Sequence, residues 1–280
     1  MTSNHNSWRT TTQDLLPAET PPAPYGRYDP YPAFPVGKGK IGLGYGDLAE
    51  QISGQEQVMI DGFVGVFWDA LRTQLDAELN ARNLRVNWVD IRQAMLTPDE
   101  IDAQVEPFLG GDDPIFGTRF TGTLADFFAR DKLPTMEPDV RADINIIYGC
   151  GAALSGWTGL LVYVDLPKNE LQFRARAGSV TNLGCADAGL PKPMYKRFYF
   201  VDWVALNQHK AHLLPAIDLV VDGQRPDVPT VMRGDDLRAA LTTLSENCFR
   251  VRPWFEPGPW GGQWIKKRIP QLAQDTPNYA

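Results

Sequence analysis

Gln57-Val58-Met59-Ile60-Asp61-Gly62-Phe63-Val64-Gly65-Val66-Phe67-Trp68-Asp69-Ala70-Leu71 decides the fold of this chain. A short apolar run ends at Asp61-Gly62, and beyond Gly65 apolar positions recur through Leu71, Leu75 and Leu79. That change of period predicts a buried strand, a tight glycine turn and an amphipathic helix over 66–80.

Working outward, Leu84–Asp90 alternates well enough for a second strand. Thr97-Pro98-Asp99-Glu100 predicts a helix start, with a Thr cap, Pro at the first helical position and acids facing the dipole. Another helix is expected over Thr123–Arg130, and a third strand over Ile144–Tyr148 running into Gly149-Cys150-Gly151. Leu160–Leu166 reads as a fourth strand, followed by a helix carrying Leu171, Gln172 and Arg174. Ile217–Asp222 reads as a fifth, and Gly234-Asp235-Asp236 opens a last helix to Leu244. Upstream, Asp47 is placed to cap a helix running through Ile52, after the glycine cluster Gly42–Gly46. Strands separated by helical stretches, the central ones continuously apolar, predict an α/β fold: a three-layer, mostly parallel sheet with helices on both faces. Ligands of such sheets sit at the carboxyl ends of the strands, where Asp61, Asp90, Tyr148-Gly149 and Asp165 fall.

The formal net charge of −7 argues against a general nucleic-acid binder. Cys150, Cys185 and Cys248 lie far apart with no Cys-x-x-Cys pair, so neither a disulfide framework nor a thiolate zinc site is indicated. No apolar run approaches the ~20 residues that span a bilayer, and a cytoplasmic location without membrane partners is expected. Residues 1–40 form a Pro-rich tail, expected to be disordered in its first half and extended on a domain surface in its second. Residues 41–248 form the α/β domain and 249–280 a connector.

A phosphate-binding loop requires G-x-x-x-x-G-K-[ST], whose amides cradle phosphate while Lys and the hydroxyl hold phosphate and magnesium. Counting from Gly62, the second Gly position holds Phe67, the Lys position Trp68 and the Ser/Thr position Asp69. The register is kept without the chemistry. Lys168, Arg174, Arg176, Lys192, Lys196 and Arg197 set six cations against Glu170 and Asp187, a local excess of four in an acidic chain. Such a patch suits an anion, although a solvated helix face would read the same way. His209 and His212 lack a carboxylate at ligand spacing, and Cys150, between two glycines, reads as a small residue filling a turn.

Strand, glycine loop, helix, strand to Asp90, and a later basic segment resemble the uridine and nucleoside kinase branch of P-loop folds. The resemblance implies that Asp90 acts as base toward a substrate hydroxyl. It also implies ligand contacts from Asp61, Gly62, Gly65, Lys168, Arg174, Arg176, Lys196 and Arg197. Asp69 could hold magnesium, and Mg-ATP would be used only if the chain is an active phosphotransferase with an unorthodox loop. Arg252–Trp264 contains Pro-Trp-Gly-Gly, which resembles the segment opening the catalytic part of class I mannose-6-phosphate isomerases. Tyr195–Trp203 adds to the likeness in the kinase-like part. Together they resemble the kinase-like N-terminal region of bacterial proteins of that isomerase family, in which a zinc-binding cupin barrel follows. The resemblance implies a degenerate kinase-like domain that binds a phosphosugar or nucleotide. Isomerisation and zinc would then belong to a cupin domain, covalently or non-covalently associated, and no metal is expected in this chain. A non-catalytic interaction module is the remaining alternative.

Overall fold

A computed structural model describes residues 7–11, 15, 34–113, 115–247, 268 and 271. Pro-Trp-Gly-Gly, Cys248, His5 and nearly all of the expected connector lie outside the described residues. Two units are distinguished: 1–15 with 38–238, and 16–37 with 239–280. All that follows concerns the first, apart from the end of its last helix.

The described residues form a seven-stranded sheet in the order β1-β7-β6-β5-β2-β4-β3. The strands are β1 (Ile41–Leu43), β2 (Gln57–Gly62), β3 (Val86–Asp90), β4 (Ile144–Tyr148), β5 (Leu160–Asp165), β6 (Leu219–Asp222) and β7 (Thr230–Arg233). The five from β2 to β6 are parallel, while β7 and β1 add an antiparallel edge. The central strand is β2, which pairs with both β4 and β5. This is the mostly parallel α/β sheet expected, with helices around it.

Helix α1 spans Gly44–Ile52 and α2 spans Trp68–Asn80, two residues later than the periodicity predicts. Asp47 Oδ2 accepts the Leu43 N–H at 2.6 Å, inside α1 rather than ahead of it. Helix α3 (Pro98–Val105) opens with the expected capping box between Thr97 and Glu100. The helix expected over Thr123–Arg130 is only a 3₁₀ turn, Leu124–Phe127, which delivers Leu124 and Phe127 into the core. Helices α4 (Lys168–Arg176), α5 (Pro191–Arg197) and α6 (Trp203–Leu213) follow β5, α5 and α6 being joined by the π-turn Phe198–Asp202. Helix α7 spans Gly234–Glu246.

Alternate residues of a strand face opposite sides, so the two layers can be assigned from β2, β3 and β5. On one face Trp68 of α2 lies against Tyr148, ring centroids 6.4 Å apart, and Trp88 Nε1 donates to Asp76 of α2 at 2.7 Å. On the other, His209 of α6 meets Asp61 at 2.8 Å and Lys210 meets Asp165 at 2.8 Å. No helix among the described residues is long and apolar enough to cross a membrane.

Asp61 ends β2 fully buried and satisfied. Its carboxylate accepts the N–H groups of Gly62 (2.6 Å), Gly151 (3.0 Å) and Ala153 (2.9 Å), besides its contact with His209. It therefore ties the turn after β4, and helix α6, to the central strand. Beside it in register, Tyr163 on β5 buries a hydroxyl with no partner. Burial, then the Asp61 and Asp165 charges, push that phenol up. Opposite outcomes are expected from the two neighbours in urea unfolding. Asp61→Ala strands three N–H donors and should cost at least about 3 kcal/mol, whereas Tyr163→Phe removes an unmatched hydroxyl and should leave stability unchanged or raise it by about 1 kcal/mol. Equal losses from both would contradict this account of the interior.

Candidate functional site

At the carboxyl ends of the strands, the connection Phe63–Phe67 occupies the place of a phosphate-binding loop. Gly65 takes φ +94°, and a Cβ there would collide with Leu171 of α4. A Cβ on Gly62 would strike the Val164 carbonyl and the Trp68 ring. Both glycines are thus required by close packing, quite apart from any ligand. Trp68, 9% exposed, fills the Lys position against Gly62 and Tyr148.

The loop holds a cation through a backbone carbonyl. Arg174, on α4, is fully buried and donates to Gly65 O at 2.7 Å, Gly223 O at 2.9 Å and Gln224 O at 3.1 Å. Its guanidinium lies 4.3 Å from the Phe67 ring centroid and 5.0 Å from that of Trp8. Glu170, also fully buried, accepts from Arg174 Nε at 3.4 Å. Burial pushes the guanidinium down and the Glu170 charge opposes that shift. A phosphate loop offers N–H groups to an anion; this one turns the Gly65 carbonyl to a guanidinium.

In front of the loop lies a cleft of about 680 Å³. One wall is 64–70, the other 179–186, with Arg92, Met95, Leu96 and Pro98 between them and Cys150 at its lining. Arg197 braces the second wall by donating to Leu183 O at 2.6 Å, and it pairs with Asp102 at 2.8 Å. Asn182 is turned away to Asp202 at 2.7 Å. The charged residues on the lining are Asp69 and Arg92. Arg92 is half-exposed and bonded to both Asp90 (2.8 Å from Nε) and Asp69 (2.8 Å from Nη2), which push its pKa further up.

The structure thus brings Asp69 and Asp90 to one guanidinium at the cleft mouth, and Gly65 to the cleft wall. Asp61 and Gly62 lie within the strand end and off the lining. Lys168 lies in a separate cleft with Lys210, Asp165 and Asp222, its ammonium 4.9 Å from the Phe63 ring centroid and 3.2 Å from Asn207 Oδ1. Arg176 is exposed and 5.7 Å from the Phe173 centroid, and Lys196 donates to the Asp113 carbonyl. The basic segment is therefore not gathered at one site. Arg92 is the cation that sequence reasoning passed over. Its signal was Asp-x-Arg at a strand's carboxyl end, where a side chain two residues on can fold back onto the carboxylate.

A mostly parallel α/β sheet, with a buried guanidinium held by the loop after its central strand, defines the class. Within it, the chain belongs to the family described as a domain of unknown function, DUF8485, matched over residues 44–246. No curated protein matches it. Among solved structures, it is similar to a candidate fructose transport system kinase from Silicibacter sp. TM1040, at a TM-score of 0.40 and 13% identity, covering 61% of this chain and 95% of that one.

Two outcomes follow from this geometry. Arg174→Ala would leave three buried carbonyls without their donor and break the ion pair with Glu170, and should cost about 3–5 kcal/mol in chemical denaturation, against within about 0.5 kcal/mol for the exposed Arg176→Ala; similar losses would refute the buried role. Burial, then Asp61, raises the Cys150 thiol well above its ordinary value. Iodoacetamide at pH 8 should leave Cys150 unlabelled in peptide maps of the native protein and label it on unfolding, since the thiolate is the nucleophile.

Proposed function

We propose that this chain is a catalytically degenerate kinase-like domain that binds a small phosphorylated metabolite, a sugar phosphate or a nucleotide, without transferring its phosphoryl group. The observation that carries this reading is the exchange of phosphate-binding chemistry for packing at the loop: Trp68 stands in the Lys position and Arg174 takes the Gly65 carbonyl. Phosphoryl transfer needs charge neutralised at the transferred group by a cation and a metal. Here Asp69 and Asp90 are both engaged by Arg92. The cleft supports binding, because its walls are held by buried arginines and Arg92 presents the cation nearest its opening.

Among the described residues no group of three or more His, Cys, Asp or Glu is arranged to hold a metal. The proposal assigns any sugar-phosphate isomerisation to a metal-bearing partner domain on the resemblance carried by Pro-Trp-Gly-Gly alone.

Calorimetry tests the reading. Mg-ATP should show no saturable binding below about millimolar, roughly −4 kcal/mol, and no hydrolysis. Of mannose 6-phosphate, fructose 6-phosphate, uridine and uridine monophosphate, at least one phosphorylated probe should bind, and Arg92→Ala should weaken it by about 1.5–3 kcal/mol. Micromolar Mg-ATP binding with turnover, or indifference to every phosphorylated probe, would overturn the proposal.

A further inference from the structure

Ser7–Thr11 lies in a stretch whose composition predicts disorder, yet it is seated on the domain by side chains and backbone together. Trp8 meets Phe67 edge to face at 5.7 Å, and both rings lie against the Arg174 guanidinium, 5.0 and 4.3 Å from it. Arg9 forks onto Glu170 at 2.9 and 3.2 Å, its side chain 9% exposed and that of Glu170 0%. Arg9 also lies 5.4 Å from the Phe173 ring centroid. Thr10 N–H donates to Phe173 O at 2.9 Å, and Ser179 Oγ donates to Trp8 O at 2.7 Å. These are the elements of peptide recognition: an aromatic anchor, a bidentate charge pair in a desolvated pocket, and backbone bonds that fix register.

The seats of this segment are parts of the cleft. Phe67 belongs to one wall and Ser179 to the other, while Glu170 and Arg174 lead through one ion pair to Gly65. We propose that Ser7–Thr11 is a peptide ligand supplied by the chain itself, seated in a groove of Phe67, Glu170, Phe173, Arg174 and Ser179, and that its docking holds the two cleft walls in place. A segment reading Trp-Arg-Thr, from this chain or added to it, is what the groove selects. Control of ligand entry by this docking rests on the metabolite-binding reading above; the docking itself does not.

Hydrogen exchange of the ligand-free full chain therefore separates the two. In Trp8→Ala/Arg9→Glu, the amides of 64–67 and 179–185 should exchange about tenfold or more faster, the scale set by losing hydrogen bonds between charged groups. Amides of β2 and β4 should keep their rates. A synthetic peptide of residues 5–13 should restore protection saturably, and the same peptide with Arg9→Glu should not. As a second route, a protease site inserted after Pro24 and cut after folding should give the same accelerated exchange once the freed segment is diluted away. Unchanged rates in both walls, acceleration spread equally through β2 and β4, or no rescue by the peptide would overturn the proposal. Metabolite calorimetry is unaffected as a test, because exchange is read without ligand.

Discussion

Burying a guanidinium is tolerated only where every donor finds an acceptor, since an unpaired charge inside a protein costs several kcal/mol. Arg174 meets that condition with carbonyls from two separate loops, a buried carboxylate and two aromatic faces. The arrangement joins the connection after β2, the chain leaving β6, helix α4 and the N-terminal segment at one group. None of these partners can be moved without exposing the others to an unmet polar atom. At this loop the Gly65 carbonyl is committed to a cation. Trp68, in the lysine position of the register, packs against Gly62 and Tyr148.

Asp61 plays the complementary part at the end of the central strand. Its position at the carboxyl end of the central strand suggested ligand contact, yet three backbone N–H groups and His209 already use its oxygens. An inward carboxylate satisfied in this way orders the strand ends on which the cleft rests. The cleft itself is lined by few charges, and its one exposed guanidinium is braced by two aspartates. Together these features describe an α/β scaffold whose buried charges hold the protein together.

Much of the fold was legible because its signals are local. The apolar runs of β2, β4 and β5, the Thr97–Glu100 capping box and the start of α7 each depend on residues within a few positions of one another. The antiparallel strands β1 and β7 were not foreseen, being three and four residues long with no alternation to read. Helices α5 and α6 escaped notice because the aromatic run between them is buried on several sides and interrupted by a π-turn, which erases helical period.

Of the site, the sequence by itself determined that the phosphate-loop register persists without its lysine, and that Asp69 and Asp90 fall at the sheet's carboxyl edge. It could not tell which cations are buried. Arg174 and Arg176 are two residues apart in one basic segment, yet one is enclosed and the other exposed. That difference arises from partners far along the chain: Gly65, Gly223 and Trp8 for Arg174, and Asp102 with Leu183 for Arg197. Burial of a charge is settled by the sum of its long-range acceptors against its lost hydration, and only the tertiary structure brings those acceptors together.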